Sequence, residues 1–176
     1  MRRAALRRVL AGCRLLGIGL LALSGCGYHL AAGDLRELGS VAIVTPSNDA
    51  GEPGLEFVVA DALRRELLRR SGSRLVENPD DAAVVVTGRL IRVQHSPGSL
   101  SSVVLALEYE TTLDLELRAR RGGEVLVEAT HLQESERYLA SADVESLRKN
   151  RQEALHRIAS VLAARFLDRL ADEGAM

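Results

Sequence analysis

Residues 40–173 predict an α+β two-layer sandwich, two helices on one face of a four-stranded, largely antiparallel sheet. Three observations carry this. Apolar residues recur at helical spacing in two blocks, Leu55 to Leu67 and Leu147 to Leu170. Between them, Leu105 to Arg120 alternate apolar and charged side chains, and Gly122-Gly123 turns that run back into another strand. The order is strand, helix, three strands, helix.

Ahead of this domain, Arg2, Arg3, Arg7 and Arg8 precede an uncharged apolar run, Leu15 to Leu23. A charged start, a short apolar run and small residues form the secretory pattern. The run is far shorter than the ~20 apolar residues a spanning helix needs. Leu23-Ser24-Gly25-Cys26 resembles the bacterial lipobox, in which the chain is cut before the cysteine and both its thiol and its new amine are acylated. We therefore expect residues 1–25 to be a cleaved signal, Cys26 to be lipidated, and residues 26–39 to tether the domain. Such a protein is anchored to a membrane without crossing it.

The remaining 151 residues fit one domain. The whole chain carries a net charge of −1, but the signal takes five arginines with it. What remains is 18 Lys and Arg against 24 Asp and Glu, a net −6. That balance argues against nucleic acid as a partner. Cys13 also leaves with the signal, so Cys26 has no disulfide partner, and a cysteine metal site is excluded.

In chain order, Ser40 to Thr45 reads as the first strand, stopped by Pro46, and Pro46 to Gly54 as a loop. Leu55, Val58, Val59, Ala62, Leu63 and Leu67 give a one-faced helix, with Gly72 placed to end it. Ala82 to Val93, rich in β-branched residues, is the second strand, and His95 to Ser102, with its Ser-Pro-Gly-Ser, a loop. In the third strand Leu105, Leu107, Tyr109, Leu113, Leu115 and Leu117 point one way, while Glu108, Glu110, Asp114, Glu116, Arg118 and Arg120 point the other. The fourth strand runs from Glu124 to about Tyr138. After a loop at Leu139 to Ala142, Asp143 caps a long helix reaching about Asp172.

Parity sets an expected register for the hairpin. A two-residue turn at Gly122-Gly123 would pair Arg118 with Val127 and bring valines onto the charged face. A three-residue turn, Arg121-Gly122-Gly123, pairs Ala119 with Val125 and Leu117 with Val127, and is the one expected. It places Glu128 opposite Glu116, Glu134 opposite Glu110 and Glu136 opposite Glu108. The resulting acidic face, uncovered by helix, is either solvated or set against a polar or basic partner.

Nothing in the sequence proposes catalysis, a metal or a cofactor. His29, His95, His131 and His156 share no ligand spacing, and there is no nucleophile elbow, phosphate loop or His-Glu-x-x-His. We expect a non-enzyme. Arg64, Arg65, Arg69 and Arg70 complement the end of the first helix. Arg118, Arg120 and Arg121 gather at the hairpin tip, with Arg92 at the end of the second strand. Forked guanidinium groups suit phosphate, so an anionic ligand is expected there.

Cys26-Gly27-Tyr28-His29-Leu30, the element order, and Arg151-Gln152-Glu153-Ala154-Leu155 in the late helix resemble the lipopolysaccharide-assembly lipoprotein family LptE. The resemblance implies an outer-membrane, periplasm-facing lipoprotein that plugs the LptD β-barrel, helps that barrel assemble and assists delivery of lipopolysaccharide to the outer leaflet. Gly27 after the lipidated cysteine, rather than an aspartate, implies export to the outer membrane. Lipopolysaccharide then becomes the ligand expected at Arg92, Arg118, Arg120 and Arg121. The competing class is a lipoprotein regulator of peptidoglycan synthesis or a secretion accessory protein.

Overall fold

The computed structural model describes residue 35 and residues 38–70, 72–100 and 106–174. Cys26, its cleavage site and most of the expected tether lie outside the described residues. The elements are β1 (Ser40–Ile43), β2 (Ser47–Asn48), α1 (Leu55–Arg69), β3 (Arg74–Val76), β4 (Val84–Leu100), β5 (Ala106–Arg121), β6 (Glu124–Leu139) and α2 (Val144–Gly174). The α+β class and the two helices match the sequence reading. The strand count does not: six strands form the sheet, not four, in the order β3-β1-β4-β5-β6 with β2 also beside β4.

The two unforeseen strands, of three and two residues, are too short for alternation to show in sequence. Both pair in parallel, β3 with β1 and β2 with β4, and β1 also runs parallel to β4. The long β4–β5 and β5–β6 ladders are antiparallel and make the sheet mostly so. The loop expected from His95 is strand as far as Leu100. A proline and a glycine are tolerated there because β2 accompanies β4 only at Arg89 and Leu90. Beyond that point β4 has a described neighbour on one side alone, where a proline costs no ladder bond on the open edge.

The hairpin corrects the expected register. Arg121 pairs with Glu124 across a two-residue turn, and Gly122 and Gly123 have φ of 57° and 89°. Two positive φ angles in succession are the backbone that a tight hairpin requires. Parity is then restored by irregularities in β6: Arg120 pairs with Val125, Ala119 with Val127, and Leu117 with Thr130. Each slip inserts one extra residue into β6, as β-bulges do. Valine and leucine thus return to the core by bulging rather than by a longer turn.

Both helices cover the same sheet face. Leu90, Leu113, Leu115, Leu117 and Ala119 from the sheet meet Leu63 and Leu67 of α1 and Ile158, Leu162, Phe166 and Leu170 of α2 in one core cluster. Each fully buried side chain of this size contributes about 1.5–3 kcal/mol. Asp143 Oδ2 accepts from the Ser146 backbone N–H at 2.7 Å, capping α2 as its sequence implied. Gly88 marks the tightest approach of β4 to β5: a Cβ there would press into the Glu116 carbonyl and the Leu117 side chain.

Arg70, at the end of α1, ties the two helices together. Its side chain is 3 % exposed; Nε donates to Glu66 Oε1 at 2.8 Å and Nη2 to the Ala164 carbonyl at 3.0 Å. Nη1 lies 2.8 Å from Asp168 Oδ1, an ion pair too bent to be a hydrogen bond. Arg64 reaches the Ile43 carbonyl at 3.1 Å. These arginines belong to the helix layer, as expected.

Candidate functional site

The outer face of β4, β5 and β6 is covered by neither helix. It is not the acidic stripe the sequence predicted. Glu116 lies opposite His131, Glu110 opposite Arg137 and Glu108 opposite Leu139. The bulges turn Glu134 and Glu136 to the other face, where Arg165 and Arg157 of α2 hold them at 2.5 and 2.8 Å. Opposite charges therefore meet across the outer face: Arg89 with Glu116 at 3.4 Å, Arg92 with Asp114 at 2.8 Å, and Arg137 with Glu110 at 3.4 Å. Thr112 and Ser135 hydroxyls lie 2.8 Å apart between them. The result is a broad polar surface close to neutral, rather than one of a single sign.

Among the arginines singled out from sequence, Arg118 and Arg120 share the outer face, Arg121 turns to the helix side beside Gly174, and Arg92 stands apart. Arg118, Arg120 and Arg121 stand at the β5–β6 turn and are exposed. Arg92 sits in mid-strand, because β4 continues to Leu100, and it pairs with Asp114 seven residues before Arg121 on β5. At ~3.4 Å per residue that is roughly 24 Å from the turn. Its guanidinium already serves Asp114, which is 2 % exposed.

Two groups near the turn were not legible in the sequence. Arg89 and Ser47 join Thr87, Gly88, Glu116 and Arg118 around an open cleft of about 310 Å³ on the outer face. Arg118 Nε donates to Thr87 Oγ1 at 3.0 Å, which leaves its terminal nitrogens without a carboxylate partner among the described residues. The cleft also holds the Glu116 carboxylate, which Arg89 meets at 3.4 Å, so the terminal nitrogens of Arg118 are the donors it offers to an anionic oxygen. Strand pairing, which only the fold supplies, puts Arg89 opposite Glu116 and diagonally across from Arg118.

A second polar cluster lies toward the other end of the sheet. Arg151 Nη2 meets Glu52 Oε1 at 2.5 Å, and His95 Nε2 is 4.0 Å from Glu52 Oε2. Burial and the neighbouring Arg151 push the His95 pKa down, opposed in part by Glu52. Tyr109 and Tyr138 stack nearby with ring centroids 5.7 Å apart, and burial raises the Tyr138 pKa. Among the described residues no group of three or more His, Cys, Asp or Glu is placed to hold a metal ion. No helix among them is long and apolar enough to cross a membrane.

The family model described as LptE, lipopolysaccharide-assembly, matches residues 38–170. No curated protein matches the sequence. Among solved structures, the chain is similar to a putative lipoprotein from Caulobacter crescentus, at 17 % identity and a TM-score of 0.53, covering 82 % of this chain and 96 % of that one. It is also similar to the rare lipoprotein B from Shewanella oneidensis, at 16 % identity and a TM-score of 0.52, over 76 % of this chain and 95 % of that one. Lipoprotein B from Nitrosomonas europaea matches at 14 % identity and a TM-score of 0.54, over 76 % and 83 %. At these identities the likeness is one of fold.

Proposed function

The chain belongs to the LptE lipopolysaccharide-assembly family, and from that premise we propose that it is an outer-membrane lipoprotein, acylated at Cys26, that seats inside the LptD β-barrel. There it helps the barrel assemble and assists lipopolysaccharide on its way to the outer leaflet. It works by fitting and binding, not by catalysis.

The observation that carries this reading is the outer sheet face. It is wide, polar and internally charge-paired, and neither α1 nor α2 covers it. A water-filled barrel lumen is lined by polar side chains. A plug in such a lumen needs a surface that stays hydrated at its rim and meets polar groups without leaving a buried charge unpaired. In the proposed role, phosphate groups of lipopolysaccharide meet the cleft at Arg89 and Arg118, with Arg120 two residues nearer the turn on the same strand face.

Purification of the intact lipoprotein from outer membranes, with mass spectrometry of its amino-terminal peptide, tests the reading. A large β-barrel should co-elute stoichiometrically, and Cys26 should carry acyl chains. Recovery with a wall synthase, or an unmodified thiol, would replace the plug by the regulator.

A further inference from the structure

Pairing across β4, β5 and β6 arranges the outer face in rows. Arg89, Glu116 and His131 form one row and Arg92, Asp114 and Gln133 the next; Gln94, Thr112 and Ser135 follow, then Ser96, Glu110 and Arg137. Residues opposite each other in a ladder share a face, so each row presents its three side chains together. Successive rows stand two residues apart on β5, roughly 7 Å, and the four rows cover about 20 Å along the strands.

Charge is spread unevenly over this face. In three rows a carboxylate has an arginine beside it: Arg89 with Glu116, Arg92 with Asp114 and Arg137 with Glu110. The row of Gln94, Thr112 and Ser135 carries no charge at all, and it lies between two of the charged ones. The Thr112 and Ser135 hydroxyls stand 2.8 Å apart within it, and Gln94 and Ser135 are exposed. Gln133, also exposed, precedes Ser135 by two residues on β6 and extends the neutral patch to the row of Asp114. Among the described residues neither glutamine side chain is engaged, and Asp114 Oδ1 has no hydrogen bond. The middle of the face thus has hydrogen-bonding capacity to offer and no unpaired charge.

Desolvation decides what such a strip accepts. A partner that laid a charged side chain over it would bury an ion without a counter-ion, at a cost one hydrogen bond does not return. Amides and hydroxyls meet amides and hydroxyls without that penalty. A sugar is the poorer match, because the strip has no ring to stack against: Tyr109 and Tyr138, the stacked pair, alternate onto the helix face.

We infer that Gln94, Thr112 and Ser135, with Gln133, are the centre of the contact this domain makes with a protein partner, and that the partner covers them with neutral amide and hydroxyl side chains. The inference rests on the reading of the domain as a barrel plug and names the chemistry of the wall it meets. The charge-paired rows on either side are the rim of that contact, wet enough to keep their ions paired in place.

Full-length, lipidated protein carrying Gln94→Glu, Gln94→Lys, Gln133→Glu or Gln133→Lys is purified from outer membranes, and the barrel recovered per lipoprotein is compared with the parent's. Both positions are exposed, so urea midpoints should match the parent, and Gln94→Asn and Gln133→Asn serve as neutral controls. At either position both signs of charge should lower recovery about tenfold or more, while the asparagine variants keep it. Loss with one sign alone overturns the neutral chemistry, since a charged partner group would accept the other sign. Equal loss in the asparagine variants overturns the role of charge. Unchanged recovery in all four charged variants overturns the contact, and if lipopolysaccharide retention falls instead, the strip belongs to that ligand and not to a protein. A parent that brings no barrel with it overturns the plug reading and this contact together; a parent that does, with indifferent variants, overturns the contact alone.

Discussion

Arg92 donates twice to a single oxygen of Asp114, from Nε at 3.1 Å and from Nη2 at 2.8 Å, and covers a carboxylate only 2 % exposed on a face that neither α1 nor α2 shields. The other oxygen, Oδ1, has no hydrogen bond, and His131 Nε2 stands 3.9 Å from it. Arg92 is therefore committed to the sheet. Arg92→Ala should strand a buried carboxylate and cost about 1–2 kcal/mol, a figure reduced because the guanidinium is itself well exposed. Arg89→Ala, which removes a longer and more exposed pair, should cost no more than about 1 kcal/mol. Urea unfolding of the two variants measures the difference, and equal midpoints would show that Asp114 does not depend on Arg92.

Gly88 answers to a steric demand. Gly88→Val would drive a branched side chain into the Glu116 carbonyl and the Leu117 side chain. Forcing β4 and β5 apart should cost about 2–3 kcal/mol or more, the upper range of overpacking. Thermal unfolding monitored by circular dichroism should show a much lower midpoint. A Gly88→Val protein as stable as the parent would mean that the two strands separate here without loss.

His95 gives the fold a dependence on pH near neutrality. Burial and Arg151 hold its folded pKa below the ordinary value of 6.5. The unfolded chain then binds the proton more readily, so the contribution of neutral His95 is complete above the unfolded pKa and is lost as pH falls through the folded one. Stability should decline as pH falls below about 6.5, and His95→Gln should flatten that slope. Glu66 acts in a lower window. Hydrogen bonding from Arg69, with Arg70 adding to it against the opposing cost of burial, keeps its carboxyl below 4.5. Its share is present above that value and disappears only in acid. Denaturant midpoints across the pH range separate the two.

At the turn, replacing Arg118, Arg120 and Arg121 by alanine should weaken lipopolysaccharide binding more than association with the barrel. Losing a bidentate phosphate contact typically costs about 1.5–3 kcal/mol, or roughly tenfold to a hundredfold in affinity. Adding Arg89→Ala should deepen the loss, because Arg89 shares the cleft with Arg118. Binding by the triple variant equal to that of the parent would remove this site, and loss of barrel association in step with ligand binding would recast the arginines as interface residues.

Much of the fold was legible because its long elements carry long periods. Most apolar positions of α1 and α2 are buried, Val58 and Leu147 only in part, and Leu113, Leu115 and Leu117 point inward as their alternation required, although Leu107 is exposed. The short strands were invisible for want of residues. The hairpin misled for a different reason: parity alone cannot tell a longer turn from a tight turn followed by bulges. Because of that, Glu134 and Glu136 were assigned to the wrong face, and their partners Arg165 and Arg157 on α2 had no visible role. Arg89 escaped notice since only the pairing of β4 with β5 brings it into the cleft with Arg118.

Those two ion pairs bear on the open edge of the sheet. Among the described residues β6 is the last strand of the sheet, 16 residues long, with its outer amides and carbonyls open to any extended chain that drifts past. Bulges distort its first half, and two glutamates clasped by α2 break the apolar rhythm of its second, which makes it a poor template for stacking. Without Arg157 and Arg165, those glutamates would be free to swing outward and the helix to lift, leaving a straight, sticky ribbon. An Arg157→Ala, Arg165→Ala double variant should therefore scatter light on storage at concentrations where the parent stays clear.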